Sequence, residues 1–143
     1  MKRSLAVAFL ALFTVGAAAS PCAACSCVEA TPEEYAEDAD VVFTGVVKEI
    51  IGGDADDGVE GDDELRVRFR VKRVYKGQVR RFTRVRTNES GSLCGYPFDE
   101  GKKYTVFATR ADGKLWAGSC EGTKKGEIDP AKYGLGEGYP PKD

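Results

Sequence analysis

Five cysteines constrain this chain more than any other feature of its sequence. Cys25 and Cys27 are separated by a single serine, whereas Cys94 and Cys120 lie far downstream. If these four cysteines pair with one another, they attach a short segment near the amino terminus to the body of the fold. Four cysteines allow three pairings, and the residues alone leave all three open.

The residues before Cys25 are typical of a secretory signal. Lys2 and Arg3 carry positive charge, an apolar run extends from Leu5 to Val15, and small residues follow. The apolar run falls well short of the ~20 residues that a membrane-spanning helix needs. We therefore expect a secreted protein, located outside the cell or in a bacterial periplasm.

The position of signal cleavage has three alternatives. Cleavage after Ala19 would leave five cysteines, one of them unpaired in an oxidising compartment. Cleavage after Ala24 removes Cys22, leaves an even number of cysteines and makes Cys25 the first residue. Lipidation of Cys25 is the third alternative, although Cys22 then stands where leucine is usual. The cysteine count favours cleavage after Ala24.

Length and charge narrow the class of protein further. The chain after the signal is long enough for one domain with a hydrophobic core. With 21 basic and 23 acidic residues, it lacks the basic excess of a nucleic-acid-binding protein. It has no histidine, which excludes Ser-His-Asp and Cys-His catalysis and histidine-ligated zinc enzymes. We therefore expect neither an enzyme nor a bound cofactor.

The residue pattern predicts a short helix followed by five strands. Thr31 and Pro32, followed by glutamates, mark the start of the helix. The predicted strands comprise residues 41–47, 65–72, 79–86, 103–108 and 114–118. Gly45 and a slip in the apolar phase near Lys72 predict bulges, and Asp112-Gly113 predicts a hairpin turn. An all-β, five-stranded OB-like barrel with one or two short helices fits best, although strand count alone also fits a sandwich.

Three further stretches have a polar composition. Residues 52–64 are rich in glycine and carboxylates, but their spacing does not match a helix-flanked calcium loop, so a solvated loop is favoured. Basic side chains recur along the strands at 65–72 and 79–86. They could bind a polyanion, but a solvated strand face is the simpler interpretation. Residues 123–143 predict a flexible tail with a hint of helix at 130–133.

The cysteines and their neighbours resemble a known family. Cys25-Ser26-Cys27-Val28, then Pro32 and the stretch at 38–43, resembles the start of the mature tissue inhibitors of metalloproteinases. Similar stretches follow at Ser92-Leu93-Cys94-Gly95-Tyr96, at Gly101-Lys102-Lys103-Tyr104 and from Leu115 to Cys120. The resemblance covers residues 25–122 and implies a netrin-like OB-fold domain there, between the signal peptide predicted at 1–24 and the tail predicted at 123–143.

The resemblance also implies roles for individual residues. It implies disulfides between Cys25 and Cys94 and between Cys27 and Cys120. The implied inhibitory wedge consists of Cys25, Ser26, Cys27, Val28, Ser92 and Leu93. The amine and carbonyl of Cys25 would bind the zinc of the target protease, and Ser26 would enter its specificity pocket. Glu37 stands where the family has a further cysteine, so one family disulfide would be missing.

The favoured interpretation is a secreted, monomeric inhibitor whose partner is a zinc metalloprotease. The alternative is a non-inhibitory netrin-like module that binds a protein or an acidic glycan, because one fold serves many functions. In that case the four cysteines would only stabilise a small secreted domain. Neither interpretation requires a cofactor, a nucleic acid or, after signal cleavage, a membrane.

We expect the mature amino terminus to be Cys25, because cleavage there leaves no unpaired cysteine. Mass spectrometry of the exported protein measures this directly. A mature chain that retains Cys22, or a lipid mass on Cys25, would contradict the prediction.

Overall fold

The computed structural model describes residues 25–52, 64–89 and 94–143. Its elements are α1 Pro32–Asp38, β1 Val41–Ile51, β2 Glu64–Lys76, β3 Phe82–Asn88, β4 Lys103–Ala111, β5 Lys114–Trp116, β6 Lys124–Lys125 and a 3₁₀ helix at Pro130–Tyr133. The signal and nearly all of the acidic loop lie outside the described residues, as do Ser92 and Leu93. No helix in the described ranges is long and apolar enough to span a membrane.

Strand pairing closes the sheet into a barrel. β1 pairs antiparallel with both β2 and β4, and β2 pairs antiparallel with β3. The two-residue contact between β3 and β5 is parallel, and β5 pairs antiparallel with β4. The cycle β1-β2-β3-β5-β4-β1 is therefore complete, whereas a sandwich would leave two separate sheets. The prediction of an all-β, five-stranded OB-fold barrel is confirmed, and β6 adds a short edge to β4.

The bulges predicted from the sequence lie where β1 pairs with β2. Thr44 pairs with Arg73 and Gly45 pairs with Val71, so Lys72 is the extra residue on β2. A Cβ atom on Gly45 would lie 3.0 Å from a carbonyl oxygen of β2. This close approach of the two backbones explains why glycine occupies the position. Because a bulge increases the local twist, these irregularities help a small sheet to close.

The barrel interior is filled by aromatic and β-branched side chains. Phe43, Phe69, Phe98 and Tyr104 are buried and meet edge to face, with successive ring centroids 5.4, 5.3 and 5.0 Å apart. Such pairs contribute beyond the area that they bury. The inward residues of β2 alternate with exposed or half-buried basic residues, as its apolar–basic alternation predicts.

The segment after Gly122 packs against the barrel, so the prediction of a flexible tail is wrong for this structure. Tyr133 is buried, with its ring centroid 5.3 Å from that of Phe107. Tyr139 exchanges two backbone hydrogen bonds of 2.8 Å with Val74. Tyr139 and Val74 thus form an isolated antiparallel β-bridge beside β2.

The physical reason is a second apolar cluster on the outside of the barrel. Its buried members are Ala36, Ala39, Val42, Phe107 and Tyr133, and Ile128 and Leu135 pack against them. The segment is rich in glycine, lysine and proline, so the few apolar residues that dock produce little signal in the sequence. Because those residues meet partners from α1, β1 and β4, only the tertiary fold reveals the contact.

Tyr133→Ala should destabilise the protein, because it removes a buried ring from this second cluster. We expect the free energy of unfolding to fall by about 3 kcal/mol. Chemical denaturation of the mature protein measures the change, with Lys132→Ala as the control at the exposed neighbouring position. Equal denaturation midpoints for both variants would show that the segment does not dock in solution.

Candidate functional site

Two disulfides attach residues 25–27 to the barrel. Cys25 is bonded to Cys94 with a Cα–Cα distance of 5.5 Å, and Cys27 is bonded to Cys120 with 5.2 Å. Both Cα–Cα distances lie in the ordinary range for disulfides. These are the two pairs that the family resemblance implies. Because the two bonds reach separate loops, the segment is held at two points rather than one.

The two loops that hold the segment are also joined to each other through Ser119. Its backbone N–H donates to the Cys94 carbonyl at 2.9 Å, and its hydroxyl donates to the carbonyls of Cys94 at 3.0 Å and Gly95 at 2.7 Å. Gly95 and Gly118 form a β-bridge beside this contact. Sequence patterns do not single out Ser119, because its only signal is that a polar residue directly precedes Cys120.

The loop after Cys94 is held by the barrel core. The Tyr96 backbone N–H donates to the Thr87 hydroxyl at 2.8 Å. The Tyr96 ring lies against Phe98 and Tyr104, with centroid distances of 4.6 and 5.8 Å. Burial raises the pKa of Tyr96, with smaller contributions from Tyr104 and Asp99. A tyrosine phenol is already neutral at physiological pH, and burial strengthens this preference.

Helix α1 follows the bridged segment and begins with the N-cap that the sequence predicts. The Thr31 hydroxyl accepts from the Glu34 N–H at 3.3 Å, while the Glu34 carboxylate accepts from the Thr31 N–H at 2.7 Å. This reciprocal capping satisfies two backbone donors of a seven-residue helix. At the other end, the Lys76 ammonium donates to the carbonyls of Ala36 and Glu37, at 2.8 Å each. Both ends of the helix are thus fixed.

The chain that follows Cys120 packs closely against α1. Gly122 has a φ of 90°, and a Cβ atom there would lie 2.7 Å from Cγ of Tyr35. A side chain at this position would push α1 away from the loop that carries Cys120. The close approach therefore couples the helix to the second disulfide.

The bridged segment presents an exposed surface beside a groove. Ser26 and Cys27 are exposed, and Val28 is 87% exposed. The groove has a volume of about 640 Å³ and is lined by residues 26–30, by part of α1 and by Glu121. A single exposed apolar residue is common on protein surfaces, so it is the concave surface beside Val28 that makes this region a candidate contact site. The contribution of Ser92 and Leu93 to the wedge stays a prediction, because both lie outside the described residues.

Carboxylate side chains line the groove beside the bridged segment, namely those of Glu29, Glu34, Glu37, Asp38 and Glu121. Within residues 25–52, 64–89 and 94–143, no three cysteine, aspartate or glutamate side chains are grouped as metal ligands. The thiols of Cys25 and Cys27 are committed to disulfides. The sulfur atoms of both cysteines are therefore not thiolate ligands for a metal.

Comparison with known proteins identifies the family. The family model for tissue inhibitor of metalloproteinase matches residues 23–127 of the 143-residue chain. The match includes both disulfides and all five barrel strands. No significant match was found among curated proteins. The chain therefore belongs to the tissue inhibitor of metalloproteinase family, a class of secreted inhibitors rather than of enzymes.

Gly122→Ala should loosen the packing of α1 against the loop that carries Cys120. Gly126 is the matched control, because its φ is 85° and no atom of the described residues lies within 4 Å of an added Cβ atom. Both alanines occupy the left-handed region, which costs about 1–2 kcal/mol. Only Gly122→Ala adds the clash with Tyr35, for a further loss of about 1–3 kcal/mol in the free energy of unfolding. Equal losses in chemical denaturation would contradict the close contact.

Proposed function

We propose that the mature protein inhibits a zinc metalloprotease by placing Cys25 on the catalytic zinc. The observation that carries this proposal is the double attachment of residues 25–27 while Ser26 and Val28 remain exposed. A catalytic zinc keeps one coordination position open for water or substrate. A neutral α-amine can fill this position, and the carbonyl oxygen of the same residue can add a second bond that closes a five-membered chelate.

Preorganisation supports tight binding in this proposal. A flexible peptide loses conformational entropy when it binds, and a segment that is already fixed loses much less. The disulfides hold the backbone of Cys25 and Cys27, and Ser119 joins the two loops that carry their partners. The segment therefore meets the target close to the conformation that it has in the free protein.

The neighbouring residues contribute contact and selectivity in the same proposal. Ser26 lies between the two bridged cysteines and enters the specificity pocket of the protease. Val28 provides an exposed apolar contact beside the groove. Ser92 and Leu93, adjacent in sequence to Cys94, complete the wedge. The mode of action needs one wedge per molecule, so we propose that a monomer is the active form.

The mechanism depends on the amino terminus of the secreted protein. Residues 1–24 are proposed to be a signal peptide, so that export leaves Cys25 with a free α-amine. The inhibitory domain comprises residues 25–122, and residues 123–143 form the segment that packs on the outside of the barrel. An additional residue before Cys25 would convert its amine into an amide, which is a poor zinc ligand.

Adding one alanine before Cys25 should abolish or strongly weaken inhibition. The extension removes a ligand bond and places bulk at the metal, so we expect a loss of several kcal/mol in binding free energy, or about a thousandfold in inhibition constant. Acetylation of the Cys25 amine should act in the same way. Inhibition of a panel of zinc endopeptidases by native and extended forms measures the effect, with matched melting curves as the control.

The pH dependence of inhibition provides a second measurement. An α-amine has an ordinary pKa of about 7.7–8.0, so most of it is protonated at neutral pH. Zinc must displace that proton, and inhibition should strengthen as the pH rises from about 6 to 8, after correction for the titration of the protease. An extended form that inhibits as well as the native protein would rule out the terminal-amine mechanism. No inhibition by either form would favour a binding module instead.

A further inference from the structure

A second groove collects cationic side chains from several strands. It has a volume of about 530 Å³. Its cationic lining residues are Arg80, Arg84, Arg86, Arg110, Lys114 and Lys142, and we call it the basic groove. No acidic side chain is among its described lining residues. The chain as a whole has a net charge of −2, so folding has concentrated positive charge at one place.

The strand register explains how these side chains come together. Val85 of β3 pairs in parallel with Leu115 of β5, and both are buried. Arg84 and Lys114, one residue earlier on each strand, are exposed and therefore neighbours on the outer face. Arg110 comes from the end of β4, just before the hairpin turn to β5. Three separate strands thus contribute to one surface.

Most of this charge has no acidic partner within the described parts of the chain. Arg86 pairs with Glu64, but no ion pair is formed by Arg84, Arg110 or Lys114 with a described carboxylate. Like charges at close range repel one another, and their summed field attracts anions. Arginine is also suited to bidentate contacts with carboxylate, sulfate and phosphate oxygens. The groove therefore fits a ligand with several regularly spaced anionic groups.

The surroundings of Phe82 indicate which of two polyanions, a single-stranded nucleic acid or a polysaccharide, fits the groove better. Phe82 lies in the groove and is 53% exposed, but the Arg68 guanidinium lies over its ring at 5.5 Å from the centroid. Single-stranded nucleic acids are usually bound by several open aromatic faces on which successive bases stack. Phe82 is the one aromatic residue among the described lining of the groove, and a cation already occupies one of its faces. A polysaccharide, which needs no base stacking, fits this surface better.

We propose that the basic groove binds an acidic polysaccharide and that the bound chain leaves the wedge uncovered. The basic groove lies at the beginning of β5, whereas Cys120 follows the end of that strand. Lys114 and Gly118 are four residues apart, which corresponds to about 13 Å along an extended strand. None of the described lining residues is shared between the basic groove and the groove beside Val28. The protein can therefore be retained on a polysaccharide while its other end contacts a protein partner.

Direct binding to heparin fragments of defined length tests the proposal without reference to protease inhibition. The variant Arg84→Gln/Arg110→Gln/Lys114→Gln removes three exposed charges from the groove. The matched control, Lys102→Gln/Lys124→Gln/Lys132→Gln, removes three exposed charges from outside it. Calorimetric titration of both variants and the unaltered mature protein gives affinities at several salt concentrations. Melting curves confirm that both variants are folded.

We expect the groove variant to bind heparin at least about tenfold more weakly, with a shallower salt dependence because fewer counterions are released. The control variant should lose less than about half of the affinity. Equal losses in both variants would overturn the proposal, because binding would then follow net charge rather than the groove. Tighter binding of a single-stranded oligothymidylate of matched charge would overturn it in favour of a nucleic acid. Absence of heparin binding by the unaltered protein would also overturn it.

Discussion

The disulfides of Cys25 and Cys27 reach two different loops, although the two cysteines are only two residues apart. A single bond would let the segment swing about its attachment, whereas two bonds define both its position and its direction. This constraint is useful only if the loops themselves are fixed relative to each other. Ser119 provides that link with three hydrogen bonds across the loops, so the bridged segment and its supports form one unit.

The closed barrel provides the support behind this unit. Tyr96 extends the rigid core to the loop of Cys94 by packing on Phe98 and Tyr104. Tyr35 of α1 packs against Gly122, so this helix holds the loop that carries Cys120. The same closure brings β3 beside β5 and assembles the basic groove from residues other than those described around the groove beside Val28. One fold therefore offers two surfaces of different chemistry, an exposed segment on disulfides and a cationic groove.

Local features of the sequence determined the individual elements. The N-cap at Thr31, the hairpin turn at Asp112-Gly113 and the bulge at Lys72 each depend on a few neighbouring residues. The alternation along β2 determined which of its side chains face the core. The cysteine count favoured a fully paired set, and the family resemblance supplied the pairing. The predictions of the cap, the turn, the bulge and the inward face of β2 succeeded because hydrogen bonding within a turn and side-chain alternation are short-range effects.

Contacts between distant segments were decided only by the tertiary structure. The parallel pairing of β3 with β5 closes the barrel, and no local pattern distinguishes it from a sandwich. The docking of Tyr133 and Tyr139 depends on surfaces formed by β2 and β4. The basic residues of the predicted strands were assigned to a solvated face, because their convergence with Arg110 and Lys114 depends on that closure. A sequence determines which residues are apolar, charged or bridged, but long-range packing decides which of them meet, since those contacts join positions far apart in the chain.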